Sequence, residues 1–202
     1  MKPVSEIRRR ARASVLRLIR DRRGLAAVEF AMIVPIMLVL FFGTVEFSSG
    51  IAIDRKVTLL ARTMSDLTSQ SPTLGVSDAD FTSFFQASQA IMTPYSTTPL
   101  KIVISELYVD PTTHKARVEW SKGYQGGAVR ATKSAYALPA ALAVDGSYLI
   151  LSEVSYLYTP TVGYVMSKAG ITLSHVAYTR PRQYNCVYYP EATSGNPTCP
   201  TS

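Results

Sequence analysis

One carboxylate stands where a carboxylate is costly. Glu29 lies in residues 25–45, a 21-residue run that is otherwise apolar apart from Thr44. Gly24, directly before the run, is a small residue between a charged stretch and an apolar helix, and it offers an extended site for a peptidase. A cut between Gly24 and Leu25 would leave a positive α-amine at lipid level. Glu29, one helical turn along, could neutralise that amine within the same helix or on a neighbouring subunit. Each charge alone is expensive in lipid, and the pair is tolerable. A plain anchor has no need of such a residue.

Other candidates for chemistry are few. Cys186 and Cys199 are the only cysteines. Outside the cytoplasm an even pair reads as a disulfide, which by chain entropy would contribute about 3 kcal/mol; the alternative is two free thiols. A metal site combining them with His175 fits no common ligand spacing. His114 falls in a turn and His175 in a strand, as solvated or core histidines do. The stretch from Gly126 and Gly127 through Lys133 and Ser134 resembles a phosphate-binding loop superficially, but Thr132 stands where its second glycine belongs. There is no hydrolase elbow. No catalytic, cofactor-binding or metal residue is assigned, and the expectation is a protein that is not an enzyme and uses no cofactor.

The element that must position Glu29 is a membrane helix. At about 1.5 Å per residue the run spans roughly 30 Å, the thickness of a bilayer core. Its twelve strongly apolar residues favour insertion by roughly 4 to 7 kcal/mol, against about 2.5 to 3.5 kcal/mol for a central charge and less near an end. Pro35 is tolerated in such a helix.

The whole net charge of +7 sits before this helix. Lys2, Arg8, Arg9, Arg10, Arg12, Arg17, Arg20, Arg22 and Arg23 face only Glu6 and Asp21, so the remainder, with 12 basic and 12 acidic residues, is neutral. A basic arm could bind nucleic acid phosphates, but its junction with an apolar helix favours a topogenic leader that holds the N-terminus in the cytoplasm. A neutral domain without a basic cluster argues against nucleic acid as a partner.

Beyond the membrane the helix continues. Ile53, Val57, Leu60, Met64 and Leu67 recur at alternating steps of four and three, one apolar stripe of the heptad kind. It could lie under its own domain, against neighbouring helices, or both. Gln70-Ser71-Pro72 ends it. Ser77-Asp78-Ala79-Asp80 reads as an N-cap for a second helix through Phe81, Phe84, Phe85, Ser88 and Ile91, closed by Pro94. The rest reads as sheet: residues 100–109, the alternation of Ala116, Val118 and Trp120, residues 148–158 and residues 171–179, with a turn at 110–114 and a helical turn at 138–143. The expected fold is α+β: a basic leader (1–24), a transmembrane helix (25–45), its extracytoplasmic extension (46–70) and an α+β extracytoplasmic domain (71–202) with an antiparallel sheet of about four strands.

Arg23-Gly24-Leu-Ala-Ala-Val-Glu29-Phe30-Ala-Met-Ile-Val-Pro35, followed by Gly43-Thr-Val-Glu46-Phe47, resembles the TadE-like segment of Tad (Flp) pilus assembly proteins. It is also similar to the prepilin signal of type IVb pilins, in which cleavage follows the glycine and Glu sits five residues on. The resemblance is specific over roughly residues 20–62. Further on it is looser, resting on Ser155-Tyr156-Leu-Tyr158-Thr-Pro160 and Tyr178-Thr-Arg180-Pro181-Arg182. It implies Arg23, Phe30 and Pro35 as recognition residues and cleavage between Gly24 and Leu25. The implied partners are an inner-membrane prepilin peptidase, other Tad pilus subunits, platform proteins and the lipid bilayer, with no nucleic acid. The implied place is the bacterial inner membrane, single-pass, with the C-terminal domain periplasmic or carried into a pilus. Phe30 departs from the tyrosine common after the Glu. The domain is too large for a major Flp pilin, which implies a minor pseudopilin. Asp145-Gly-Ser147-Tyr-Leu149 stops one position short of the metal motif of the related TadG branch.

Two other readings stand beside it. One is an uncleaved TadE-like anchor, in which Glu29 pairs with another helix. The other is a soluble exported binding protein or enzyme, freed after Ser48-Ser49-Gly50 by ordinary signal peptidase; the length of the run, Glu29 and Pro35 count against it. Twelve tyrosines fit either adhesive contacts or half-buried sheet positions.

Overall fold

The computed structural model describes residues 23–71, 75–160, 170–190 and 199. It divides into two compact units, Met1–Phe47 and Ser48–Ser202. Helix α1 (Arg23–Ser69) runs for 47 residues with Pro35 inside it. In the first unit its apolar side chains are exposed, and the helix is long and apolar enough to cross a membrane. The basic leader through Arg22 lies outside the described residues.

In the second unit the later part of α1 is a core element. Ile53, Val57, Leu60 and Met64 are buried against the chain's own sheet, so for these four residues the stripe is covered from within. Leu67 is only half-buried, and Ser65, Thr68 and Ser69 are buried instead. The cause is periodicity. A helix of 3.6 residues per turn drifts by about 20° per heptad from a 3.5 repeat, so the covered face moves off the heptad stripe.

Helix α2 (Asp78–Met92) begins at a capping box. Ser77 Oγ accepts from the Asp80 amide at 3.2 Å, and the Ser77 amide donates to Asp80 Oδ2 at 2.9 Å. Its C-terminal carbonyls are held by Lys56 of α1, whose Nζ donates to the oxygens of Ile91 (2.7 Å) and Thr93 (2.8 Å).

The strands are β1 (Leu100–Val109), β2 (Ala116–Tyr124), β3 (Ala135–Tyr136), β4 (Tyr148–Tyr158) and β5 (Ile171–Thr179), in the antiparallel order β3-β2-β1-β4-β5. Five strands form where about four were expected. The extra one, β3, has two residues, too few to show a period-two pattern. The segment 138–143 contains a single 3-10 turn, Ala140–Leu142. β1 is central and buried at every position but Lys101, because both faces of the sheet are covered. One face carries Ile102, Ile104, Trp120, Ile150 and Val154 under α1 and α2. The other carries Leu107, Val109, Val118, Leu149 and Leu151 under Tyr136, Leu138, Leu142 and Ala143. A bulge in β2, between Val118 and Trp120, leaves Glu119 without a β1 partner.

Candidate functional site

The N-terminal constellation lies on one helix. Leu25 and Glu29 are four residues apart in α1, hence on the same face and separated by about 6 Å of rise. Leu25 (61%) and Phe30 (70%) are largely exposed, and so are Gly24 and Glu29. A Cβ at Gly24 would meet nothing within 4 Å among the described residues. The expectation of an extended Gly24 is corrected: its backbone is helical, as the second residue of α1. The run that follows, Leu25-Ala-Ala, favours helix enough to offset the cost of about 1 kcal/mol that glycine carries there. Arg23 begins the described helix and Pro35 sits inside it. Thr44, the polar interruption near the end of the run, returns its hydroxyl to the Leu40 carbonyl at 2.8 Å.

The second unit holds the remaining candidates. Cys186 and Cys199 are joined as a disulfide. His114 pairs with Asp145 (2.8 Å) and His175 with Asp54 (2.7 Å). Gly126 and Gly127 do not open a helix. They lie in the loop after β2, where a Cβ at Gly127 would come within 2.5 Å of the Ile102 carbonyl oxygen. That glycine serves close packing of the loop on β1. Among the described residues, no group of three or more His, Cys, Asp or Glu side chains is placed to hold a metal ion.

The structure also shows a polar centre that the sequence did not single out. Glu106, in the middle of β1, is 1% exposed. Its Oε1 accepts the Val187 amide at 2.6 Å, and its Oε2 accepts Trp120 Nε1 at 3.1 Å. The same indole N–H donates to the Val187 carbonyl at 2.6 Å. The Val76 amide donates to the Tyr188 carbonyl at 2.8 Å, beside a parallel bridge between Gly75 and Tyr188. Residues 186–189 thus form a strap held across the sheet by main-chain contacts. Burial pushes the Glu106 carboxyl up to about 8, its two hydrogen bonds oppose the rise, and the negative charge of Glu119 adds to it. The one available signal was an acidic residue inside the otherwise apolar end of β1.

The architecture is that of a protein with one membrane-length apolar helix leading into an α+β domain. Residues 24–63 match the model of the family described as TadE-like protein. The match covers 40 of 202 residues and lies wholly within α1. Over that stretch the chain is similar to TadE-like proteins. No curated protein and no solved structure matches the chain.

Proposed function

We propose that the chain is a minor pilin-like subunit for assembly of Tad (Flp) pili. It is inserted with its N-terminus in the cytoplasm and its sheet domain in the periplasm, and a prepilin peptidase cuts it after Gly24. The observation that carries this reading is the TadE-like match, which begins at Gly24 and runs along α1 as far as the stripe that underlies the sheet. In this role the domain is structural, not catalytic. Glu29 neutralises the new amine of Leu25, and the exposed apolar side chains of the helix meet lipid and then neighbouring subunits. Other Tad subunits and inner-membrane platform proteins are the partners. The test is deletion of the gene in its own host, with complementation by the full chain. Loss and recovery of Tad pili are expected, and undiminished piliation in the deletion strain overturns the proposal.

A second reading is favoured by one observation, the helical backbone at Gly24. A peptidase acts on extended chain, so a stably helical Gly24 would leave the protein as an uncleaved anchor of the assembly machine. In that case Glu29 pairs with another helix of the platform.

A further inference from the structure

One face of the sheet is covered at one end only. There Tyr136, Leu138, Leu142 and Ala143 close over Leu107, Val109, Leu149 and Leu151. At the other end of the same face, polar side chains stand in register across three strands. Lys101 of β1 lies opposite Ser155 of β4, and Ser155 lies opposite Ser174 of β5. Residues directly opposite in a ladder share a face, with Cβ atoms about 5 Å apart, so the three form one row about 10 Å long. The next row is Val103, Glu153 and Val176. Lys101 and Leu107 are an even number of residues apart on β1, as are Ser155 and Leu151 on β4, which puts both rows on the face of the smaller core.

The loop after β2 turns these rows into a cleft of about 310 Å³, lined by Lys101, Gly127, Arg130, Glu153, Ser155 and Ser174 among others. Its wall is held firmly. Gly127 packs against the Ile102 carbonyl more closely than any residue with a Cβ could. The Arg130 amide donates to Ser121 Oγ at 3.1 Å, and its guanidinium lies 4.9 Å from the centre of the Tyr136 ring. Arg130 Nε donates to Glu153 Oε2 at 3.0 Å and Nη2 to Glu153 Oε1 at 2.6 Å, a bidentate pair.

That pair leaves the charge of Lys101 uncompensated. Lys101 is exposed, and its ammonium has no hydrogen-bond or ion-pair partner among the described residues, nor do the hydroxyls of Ser155 and Ser174. Glu153 is partly exposed, and its two oxygens keep lone pairs that Arg130 does not use. The cleft thus offers one cation on a long rotatable stem, two hydroxyls that donate or accept, and a carboxylate that accepts. A bare anion would meet Glu153 beside Lys101, and an uncharged sugar would leave Lys101 unused. A ring that carries one carboxylate and several hydroxyls satisfies all four groups.

We propose that this cleft binds a uronic acid: Lys101 takes the carboxylate, and Ser155, Ser174 and Glu153 take the ring hydroxyls. Such rings are the repeating units of acidic polysaccharides. The site lies wholly within the sheet unit, so it is independent of how the N-terminal helix is processed.

The test is titration of the isotope-labelled full chain with glucuronate, in non-ionic, sugar-free micelles at constant ionic strength, followed by its amide resonances in NMR. The amides of residues 126–130, 155 and 174 are expected to move together and to saturate, with a Kd of about 1 mM for so small a ligand. Glucose, which lacks the carboxylate, should bind at least about tenfold more weakly, and glucuronate should bind Lys101→Gln more weakly by the same factor. That variant alters an exposed side chain and should fold. An absence of saturable shifts at these amides overturns the proposal. So does equal affinity for glucose, or an unchanged affinity in Lys101→Gln. Displacement of glucuronate by inorganic phosphate at equal concentration also overturns it, because the cleft would then be a general anion site.

Discussion

Replacing Glu29 by Gln removes one charge and almost no volume, so it isolates the electrostatic part of the proposed function. Leu25 and Glu29 stand one turn apart in α1, and an amine on Leu25 would lie about 6 Å of helix rise from the carboxylate. At an effective dielectric of about 20, two unit charges at that separation attract by about 3 kcal/mol, which corresponds to about a hundredfold in an equilibrium. Membrane insertion should not suffer, because a neutral amide is cheaper in lipid than a carboxylate. A pair within one helix is the same in membrane and pilus and cancels from their ratio, so the expected result of Glu29→Gln is an undiminished membrane level, unchanged processing after Gly24, and a fall in the ratio of pilus-bound to membrane-bound subunit, of at most about a hundredfold, that measures pairing of the amine with Glu29 of a neighbouring subunit. Shearing pili from host cells and blotting both fractions quantitatively reads that ratio. Incorporation equal to that of the natural chain would refute pairing with a neighbouring subunit. A loss of processing instead would mean that Glu29 acts in peptidase recognition.

Three further outcomes follow from the sheet unit. Phe81 is fully buried and packs edge-on against Phe84, Trp120 and Tyr189 at ring separations of 5.2–5.9 Å, so Phe81→Ala should cost about 3–5 kcal/mol in guanidinium unfolding followed by circular dichroism. Replacing Cys186 and Cys199 together by Ser should cost about 3 kcal/mol, because the bridge spans 13 positions of sequence, and Trp120 as the sole tryptophan reports the unfolding by its emission. Hydrogen bonds from Lys122 hold Asp78 below the ordinary carboxylate range, as do those from Ser77 for Asp80 and the amides of Thr113 and Thr112 for Asp110. Depressed carboxylates contribute stability that is present above their unfolded values and lost as pH falls, so melting temperature should drop below about pH 4, and Asp80→Asn should flatten that drop.

Much of the fold was legible because its elements carry strong local signals. Residues 100–109, 148–158 and 171–179 are long runs rich in β-branched and aromatic side chains between turn residues, and these ranges are strands β1, β4 and β5. Ser77 and Asp80 at capping-box spacing announced α2. Where the signal was non-local it failed. Nothing near Glu106 in sequence tells that its partner is the amide of Val187, 81 residues away. Leu67 was placed in the buried stripe because a heptad was imposed on a helix that does not keep one; it is half-buried, and Thr68 is buried instead. The Gly24 region was legible as a family motif and as a place for chemistry, yet its backbone was misjudged: a glycine next to a leader suggested extended chain, and the helix-forming residues after it prevailed.

The central claim is cleavage after Gly24 in a Tad pilus subunit. Its most direct test is the N-terminal residue of the protein isolated from membranes of its own host. The prediction is a chain that starts at Leu25. An intact Met1 would contradict the claim and leave an anchor with no free amine for Glu29, and a start near Ile51 would contradict both membrane readings in favour of a soluble exported domain.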